Sequence, residues 1–225
     1  MTVNGEVVLT PGALVDPNLS RICVDGKPLS RRPPTYLLLN KPAGVLSTCR
    51  DTHGRKTVLD LVGDAARGLY PVGRLDADTE GLLVLTDDGE LTLRLTHPRY
   101  EAPKVYLAEV KGAIPQEAVE KLLRGVLLED GLARADRIRL LTAGAGRTAR
   151  SRLGIELHTG KKRQIRRMLS CLGFPVLRLT RTRMGSLSLG KLPRGHWRKL
   201  TASEVARLRA EAGLGAPAPR DDPPR

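Results

Sequence analysis

Two apolar rhythms alternate irregularly along these 225 residues, and neither runs long. Recurrence at every second residue marks a strand, and recurrence at three and four marks a helix. Tyr36-Leu37-Leu38-Leu39-Asn40 reads as a buried strand stopped by Lys41-Pro42, with Ala43-Gly44 as a turn, and Leu82 to Thr86 reads as another. Glu90 to Leu95 suits a short helix capped by Asp88, although its alternating leucines fit a strand equally. Lys104 to Val110 reads as a strand, with Val105 and Leu107 on one face and Tyr106, Ala108 and Val110 on the other. Pro115 opens a helix bearing Val119, Leu122, Leu123 and Val126, and Glu129-Asp130-Gly131 carries a hairpin's turn chemistry. Leu153, Ile155 and Leu157 alternate as a further strand. Lys161 to Leu172 predicts a helix with Ile165, Met168, Leu169 and Leu172 inward and Gly173 as its stop. Strands follow around Val176 to Arg183 and near Trp197 to Leu200, then a Thr201-Ala202-Ser203-Glu204 capping box starts a last helix to about Glu211.

Such a mixture, without a regular strand and crossover-helix repeat, specifies an α+β fold around a mainly antiparallel sheet flanked by helices. Arg31-Arg32-Pro33-Pro34 reads as a linker, and the thirty or so residues before it are too few to build a core alone. The organisation expected is residues 1–30, a linker at 31–34, one large domain over 35–213, and a Pro-rich, charged, disordered tail over 214–225.

The formal net charge is +14, and its placement matters more than its size. From Leu157 to Ser203 there is no Asp or Glu, while twelve Lys and Arg residues fall in the same window. A basic run without compensating acid points to a polyanion. Aromatic residues are only 3% of the chain, which fits nucleic acid better than an anionic membrane surface read by an amphipathic helix.

Other classes recede. No apolar run exceeds about six residues, far short of the roughly 20 that cross a bilayer, and Met1 to Asp16 lacks the features of a signal peptide, so the expected compartment is the cytoplasm. Cys23, Cys49 and Cys171 are odd in number and scattered, which argues for buried or idle thiols rather than a disulfide framework or metal site. The four histidines are equally dispersed, with no zinc-binding spacing.

Against this basic background, Gly73-Arg74-Leu75-Asp76-Ala77-Asp78-Thr79-Glu80-Gly81 and the following Asp87-Asp88-Gly89 form an acidic island around one apolar strand. Turn and capping duties account for Asp87 and Asp88. They account poorly for Asp76, which sits at the approach to a strand that reads as buried. Asp78 and Glu80 read as turn or surface charges; the alternatives are a glycosidase-like carboxylate pair or a magnesium-dependent nuclease cluster.

The ordered set Leu39-Asn40-Lys41-Pro42 with Gly44, the Gly73 to Gly89 stretch, Lys104-Val105-Tyr106, and Gly160-Lys161-Lys162-Arg163-Gln164-Ile165-Arg166-Arg167-Met168-Leu169 resembles the RsuA, RluB, RluE and RluF branch of pseudouridine synthases. The resemblance covers roughly residues 35 to 205. It implies the pseudouridine synthase fold and an enzyme, acting as a monomer without metal or organic cofactor, that isomerises a uridine in ribosomal RNA, with large-subunit RNA the expected target. A non-catalytic rRNA-binding or ribosome assembly protein on the same scaffold is the alternative.

By that resemblance Asp76 matches the catalytic aspartate. Tyr106 matches an aromatic on which a flipped base stacks, although a tyrosine on a strand equally suits a core. Arg166 corresponds to the basic residue that pairs with the catalytic carboxylate, with Arg167 its adjacent alternative; a guanidinium there keeps a desolvated carboxylate ionised and oriented. Arg163 and Arg167 are expected phosphate contacts, joined by Lys161, Lys162, Arg181 and Arg183 of the basic window. Ile165 is expected to line the uracil pocket, Arg74 to face RNA or support the loop, and Lys41 to neighbour a phosphate or base. Val3 to Val8 and Ile22 to Lys27 resemble only the closing strands of a small N-terminal RNA-binding module, so a truncated module is expected.

Overall fold

The computed structural model describes residues 1–15, 19–29, 32–144 and 149–215. They group into two compact units that divide between Pro33 and Pro34. The expected linker includes Arg31, and the expected tail lies almost wholly beyond residue 215; both of those portions fall outside the described residues.

In the first unit, strands β1 (Thr2–Val3), β2 (Glu6–Val7), β3 (Ile22–Val24) and β4 (Lys27–Pro28) form an antiparallel sheet ordered β2-β1-β3-β4. Two of its turns are Asn4-Gly5 and Asp25-Gly26, all four residues at positive φ, the geometry that lets a two-residue turn follow the twist of a hairpin. None of its described residues is buried.

The second unit carries, in chain order, β5 (Tyr36–Lys41), α1 (Val58–Val62), β6 (Tyr70–Pro71), β7 (Glu80–Thr86), α2 (Gly89–Thr96), β8 (Lys104–Lys111), α3 (Gln116–Arg124), β9 (Val126–Leu128), β10 (Gly131–Ala133), β11 (Arg137–Thr142), β12 (Arg150–Leu157), α4 (Gln164–Cys171), β13 (Val176–Met184), β14 (Leu187–Ser188), β15 (Trp197–Lys199) and α5 (Ala202–Glu211). Seven strands run in the order β11-β12-β8-β13-β7-β5-β15, with β6 beside β7 and β14 beside β13. The β13 to β7 pairing is parallel and its neighbours in the sheet are antiparallel, so the architecture is the expected mixed, mainly antiparallel α+β fold.

The two halves of the sheet bury their residues differently. Every residue of β5 and β7 is buried. Tyr36, Leu38, Leu82 and Val84 enter one cluster with α2 and α5, while Leu37, Leu39, Leu83 and Leu85 enter another against α1. Strand β12 instead alternates, burying Ser151, Leu153, Ile155 and Leu157 beneath α3 and α4 and leaving Arg150 and Arg152 exposed.

Local signals explain most helix ends. Asp88 accepts from Leu91 N at 3.0 Å, which settles residues 89–96 as a helix rather than a strand. Thr201 and Glu204 form the expected capping box on α5. The helix after Gly160 is shorter than expected. It starts at Gln164, because Arg163 adopts a left-handed conformation with φ of 53° and turns the chain before the first helical residue. Of the three thiols, Cys49 and Cys171 are exposed and Cys23 is half-buried, so none is a core cysteine. No helix among the described residues is long and apolar enough to cross a membrane.

Candidate active site

The loop between β6 and β7 carries Asp76, and its backbone is gripped from below. Lys41, at the end of β5, has no solvent exposure, and its Nζ donates toward the carbonyls of Pro42, Asp76, Ala77 and Thr79 at 2.8 to 3.2 Å. Gly44 N donates to Ala77 O at 2.8 Å, and Ser47 Oγ both donates to Leu75 O and accepts from Leu75 N. Thr79 N closes the turn onto Asp76 O at 3.0 Å. The Asn-Lys-Pro segment is therefore a clamp on the loop of Asp76. Burial pushes the Lys41 ammonium down to about 8, with the charges of Asp78, Asp76 and Glu80 pulling the other way. Lys41 is thus a positioning residue rather than the phosphate or base neighbour expected from the sequence.

A cleft of about 210 Å³ opens above this loop. Its lining brings together Asp76, Thr79, Tyr106, Ile165, Leu157 and Leu179, with Arg74, Lys161, Lys162 and Arg163 also along it. Asp76 is the only carboxylate in that lining, and its side chain is 36% exposed. Tyr106 comes from β8, paired with Ile155 on one side and Arg181 on the other, and packs against two core clusters while keeping one side on the cleft. Ile165 and Tyr106 both line this cleft together with Asp76.

The glycine that sets how closely β7 and β13 approach is Gly81. It sits opposite Arg181 in the parallel pairing with φ of 106°, and an added Cβ would fall inside the Arg181 backbone. Only a glycine permits β13 to approach so closely, and that approach seats Leu179 beside Asp76 in the cleft.

The arginines of α4 differ from expectation. Arg166 does not pair with Asp76. Its Nη2 donates to Asp78 O at 2.8 Å, its Nε lies 3.4 Å from Asp78 Oδ2, and its Nη1 donates to Val176 O at 3.3 Å. Arg163 makes a bidentate pair with Asp78, both contacts at 2.9 Å, and is the guanidinium near Asp76, with Nη1 4.0 Å from Oδ2. The left-handed turn at Arg163, which delays the helix start by three residues to Gln164, aims it at the loop. Asp78 is no bystander, and the Arg163 hydrogen bond leads the effects that hold its carboxyl below the usual range. Glu80 also differs: it is buried and pairs with Arg178 at 2.7 Å and Arg194 at 3.5 Å.

Several expected RNA contacts are committed within the protein. Arg181 is buried, with Nε donating to Leu82 O at 2.8 Å. Arg167 pairs with Asp130 at 2.8 Å, and Lys161 Nζ donates to Asp130 O and Leu132 O, pinning the β9 to β10 hairpin beside the cleft. Arg183 is exposed on the opposite face of the sheet, near Val105 and Gly154. Arg74 and Lys162 are exposed where the cleft opens. Gln164, unnoticed in the sequence, is buried and accepts from Thr159 Oγ1 at 2.9 Å and Lys161 N at 3.3 Å while donating to Arg134 O at 3.3 Å. Its place inside the basic run was its only signal.

Residues 35–171 match the family model of RNA pseudouridylate synthases. This chain belongs to the RNA pseudouridylate synthase family. The synthase is 44% identical over 213 residues to an RNA pseudouridine synthase of Aquifex aeolicus, a match covering 94% of this chain and 84% of that protein. It is 43% identical to ribosomal large subunit pseudouridine synthase B of Bacillus subtilis, covering 95% of this chain and 86% of the relative. Among solved structures it is similar to a pseudouridylate synthase with a TM-score of 0.67 and 28% identity, covering 92% of this chain and 87% of that one. In a synthase of this family, the cleft brings one carboxylate and one tyrosine into the same lining.

Proposed function

We propose that this synthase converts a uridine of large-subunit ribosomal RNA to pseudouridine at Asp76. The observation that carries the reading is the lone carboxylate of the cleft, on the loop held by the Lys41 clamp, in a lining it shares with Tyr106. The target base leaves its stack at a cost of a few kcal/mol, and stacking on Tyr106 offsets about 1–3 kcal/mol of it. The bond from C1′ of the ribose to N1 of uracil then breaks, the base turns in the cleft, and C5 bonds to C1′. The C5 proton is lost and N1 ends protonated, so the reaction is balanced without a co-substrate. Asp76 serves as nucleophile or charge stabiliser through these steps. Arg163 supplies a positive charge 4.0 Å from its carboxylate, and Arg166 acts through Asp78 to position the loop. Arg74 and Lys162 contact the RNA backbone, and Ile165 packs against the uracil.

Similarity to the Bacillus subtilis large-subunit enzyme over 95% of this chain supports the choice of RNA. That coverage reaches into the first unit, in keeping with residues 1–33 adding RNA contacts to a catalytic body that begins near residue 35. The test follows loss of the C5 proton as tritium release from large-subunit rRNA transcribed with uridine tritiated at C5. Asp76→Asn is expected to abolish release while RNA affinity stays near that of the wild type. Retained release would remove Asp76 from catalysis. Chemical mapping of large-subunit rRNA from cells lacking the synthase is expected to show one missing pseudouridine; an unchanged map favours a binding protein on the same scaffold.

A further inference from the structure

The sheet face opposite the cleft is open. On β12, the buried alternation at Ser151, Leu153, Ile155 and Leu157 leaves Arg152, Gly154 and Glu156 facing away from the core. Their neighbours on β8 are Glu109, Leu107 and Val105, and on β11 Arg139 lies opposite Gly154 and Arg137 opposite Glu156. A shallow depression runs over Gly154, lined by Val105, Arg137, Arg139 and Arg183 and by the acids Asp136 and Glu156, of which Asp136 is paired with His158. Arg137, Arg139, Arg152 and Arg183 are all exposed, and none forms an ion pair among the described residues.

Two ordinary explanations fall short. Cations on edge strands discourage edge-to-edge pairing, which suits Arg137 and Arg139 on the edge strand β11. They do not suit Arg152 and Arg183, which lie on the interior strands β12 and β13. Cross-strand charge pairing accounts for only part of the face: Arg137 lies opposite Glu156 and Arg152 opposite Glu109, but Glu109 is paired with Arg150 at 2.8 Å, and Arg139 and Arg183 lie opposite Gly154 and Val105. Every cation on this face is an arginine, four against the two acids Glu109 and Glu156, and arginine is the side chain whose planar fork pairs with phosphate and stacks on bases. Gly154 leaves room between them.

We propose that this arginine face is a second RNA-binding surface, which takes the phosphate backbone of an rRNA segment other than the one entering the cleft. The occupant is a polyanion by charge complementarity, and RNA is the polyanion the proposed function already brings to the molecule. The inference rests on that reading for its choice of ligand, not for its geometry. A synthase that grips RNA on both faces of one sheet favours a folded or partly assembled RNA over an isolated hairpin. This gives the large, structured substrate a physical meaning.

The test uses the full chain and the variant Arg137→Ala/Arg139→Ala/Arg152→Ala, with protein-free large-subunit rRNA and a short uridine-containing hairpin as probes. Affinity is measured across a series of salt concentrations. Each lost phosphate contact lowers the slope of log affinity against log salt by about 0.7–0.9, so the triple variant is expected to lose about 2 in slope on the long rRNA. Its slope on the hairpin is expected to match the wild type, and circular dichroism reports whether it is folded. The Arg→Lys triple variant keeps the charges and is expected to keep the slope. An unchanged slope on the long rRNA overturns the proposal, and equal losses on both probes overturn it as well, because they place these arginines with the cleft. Failure of the wild type to release C5 tritium sinks the proposed function instead, and leaves the slope comparison readable.

Discussion

Strands β5 and β7 are buried on both faces, whereas β12 buries one face and offers the other to solvent. The first half of the sheet has no surface left for a ligand, and its contribution is rigidity. It ends in Lys41 and leads out of the loop of Asp76, so the carboxylate proposed to react hangs from the half of the sheet that is buried on both faces. The second half supplies Tyr106, Ile165 and Leu179 to the cleft on one face and the arginine surface on the other. On the proposed function, one half holds Asp76 in place and the other meets the RNA. The two meet at the parallel pairing of Gly81 with Arg181.

Breaking that seam carries the largest expected effect. Gly81→Ala puts a Cβ into the Arg181 backbone at a φ of 106°, combining overpacking with backbone strain, and is expected to cost about 3 kcal/mol or more. Urea unfolding measures it, and a loss below about 1 kcal/mol would show that the halves do not depend on this close approach. Lys41→Met tests the rigid half alone. Met fills much of the lysine volume but leaves the carbonyls of Pro42, Asp76, Ala77 and Thr79 without their buried donor, a loss partly offset by removal of a buried charge. The expected cost is about 2 kcal/mol, with kcat for tritium release falling and KM for RNA little changed. A variant that instead raises KM and spares kcat would return Lys41 to the role of an RNA contact.

The rigid half was the more legible in the sequence. Tyr36 to Asn40 and Leu82 to Thr86 are apolar runs bounded by turn residues, and such runs admit few outcomes. Asp76, Tyr106 and Ile165 were legible because three separate motifs converge on one cleft. The charged residues were not, because sequence gives their sign but not their direction. Arg163 and Arg166 both face Asp78 only because the helix starts late, and nothing local in Lys161-Lys162-Arg163 announces a left-handed turn. Lys41 and Arg181 looked like RNA contacts for the same reason: a buried cation that donates to main-chain carbonyls has the same letter as an exposed one. Glu80 misled in the opposite direction, its partners Arg178 and Arg194 lying about a hundred residues away in the chain.

The smallest expected effect belongs to Lys104, on the β8 edge of the cleft-forming half. It sits two residues before Tyr106 and so shares its face of the strand, with Leu157 on one side and Met184 on the other. Burial, with a lesser contribution from the Arg181 charge, pushes its ammonium down to about 8. An unfolded chain holds the same proton to about 10.4. Below pH 8 both states carry it, and the folded state bears a constant penalty. Between about pH 8 and 10.4 the unfolded state binds more protons than the folded one, so this residue makes stability rise with pH across that window. Lys41 contributes in the same direction, so the rise in the wild type is shared, and the difference from Lys104→Met isolates one lysine. Lys104→Met is expected to be about 1 kcal/mol more stable than the wild type at pH 7, with the advantage shrinking toward pH 10. An advantage that stays level from pH 7 to pH 10 would mean that packing by the methionine, rather than relief of a buried charge, produces it.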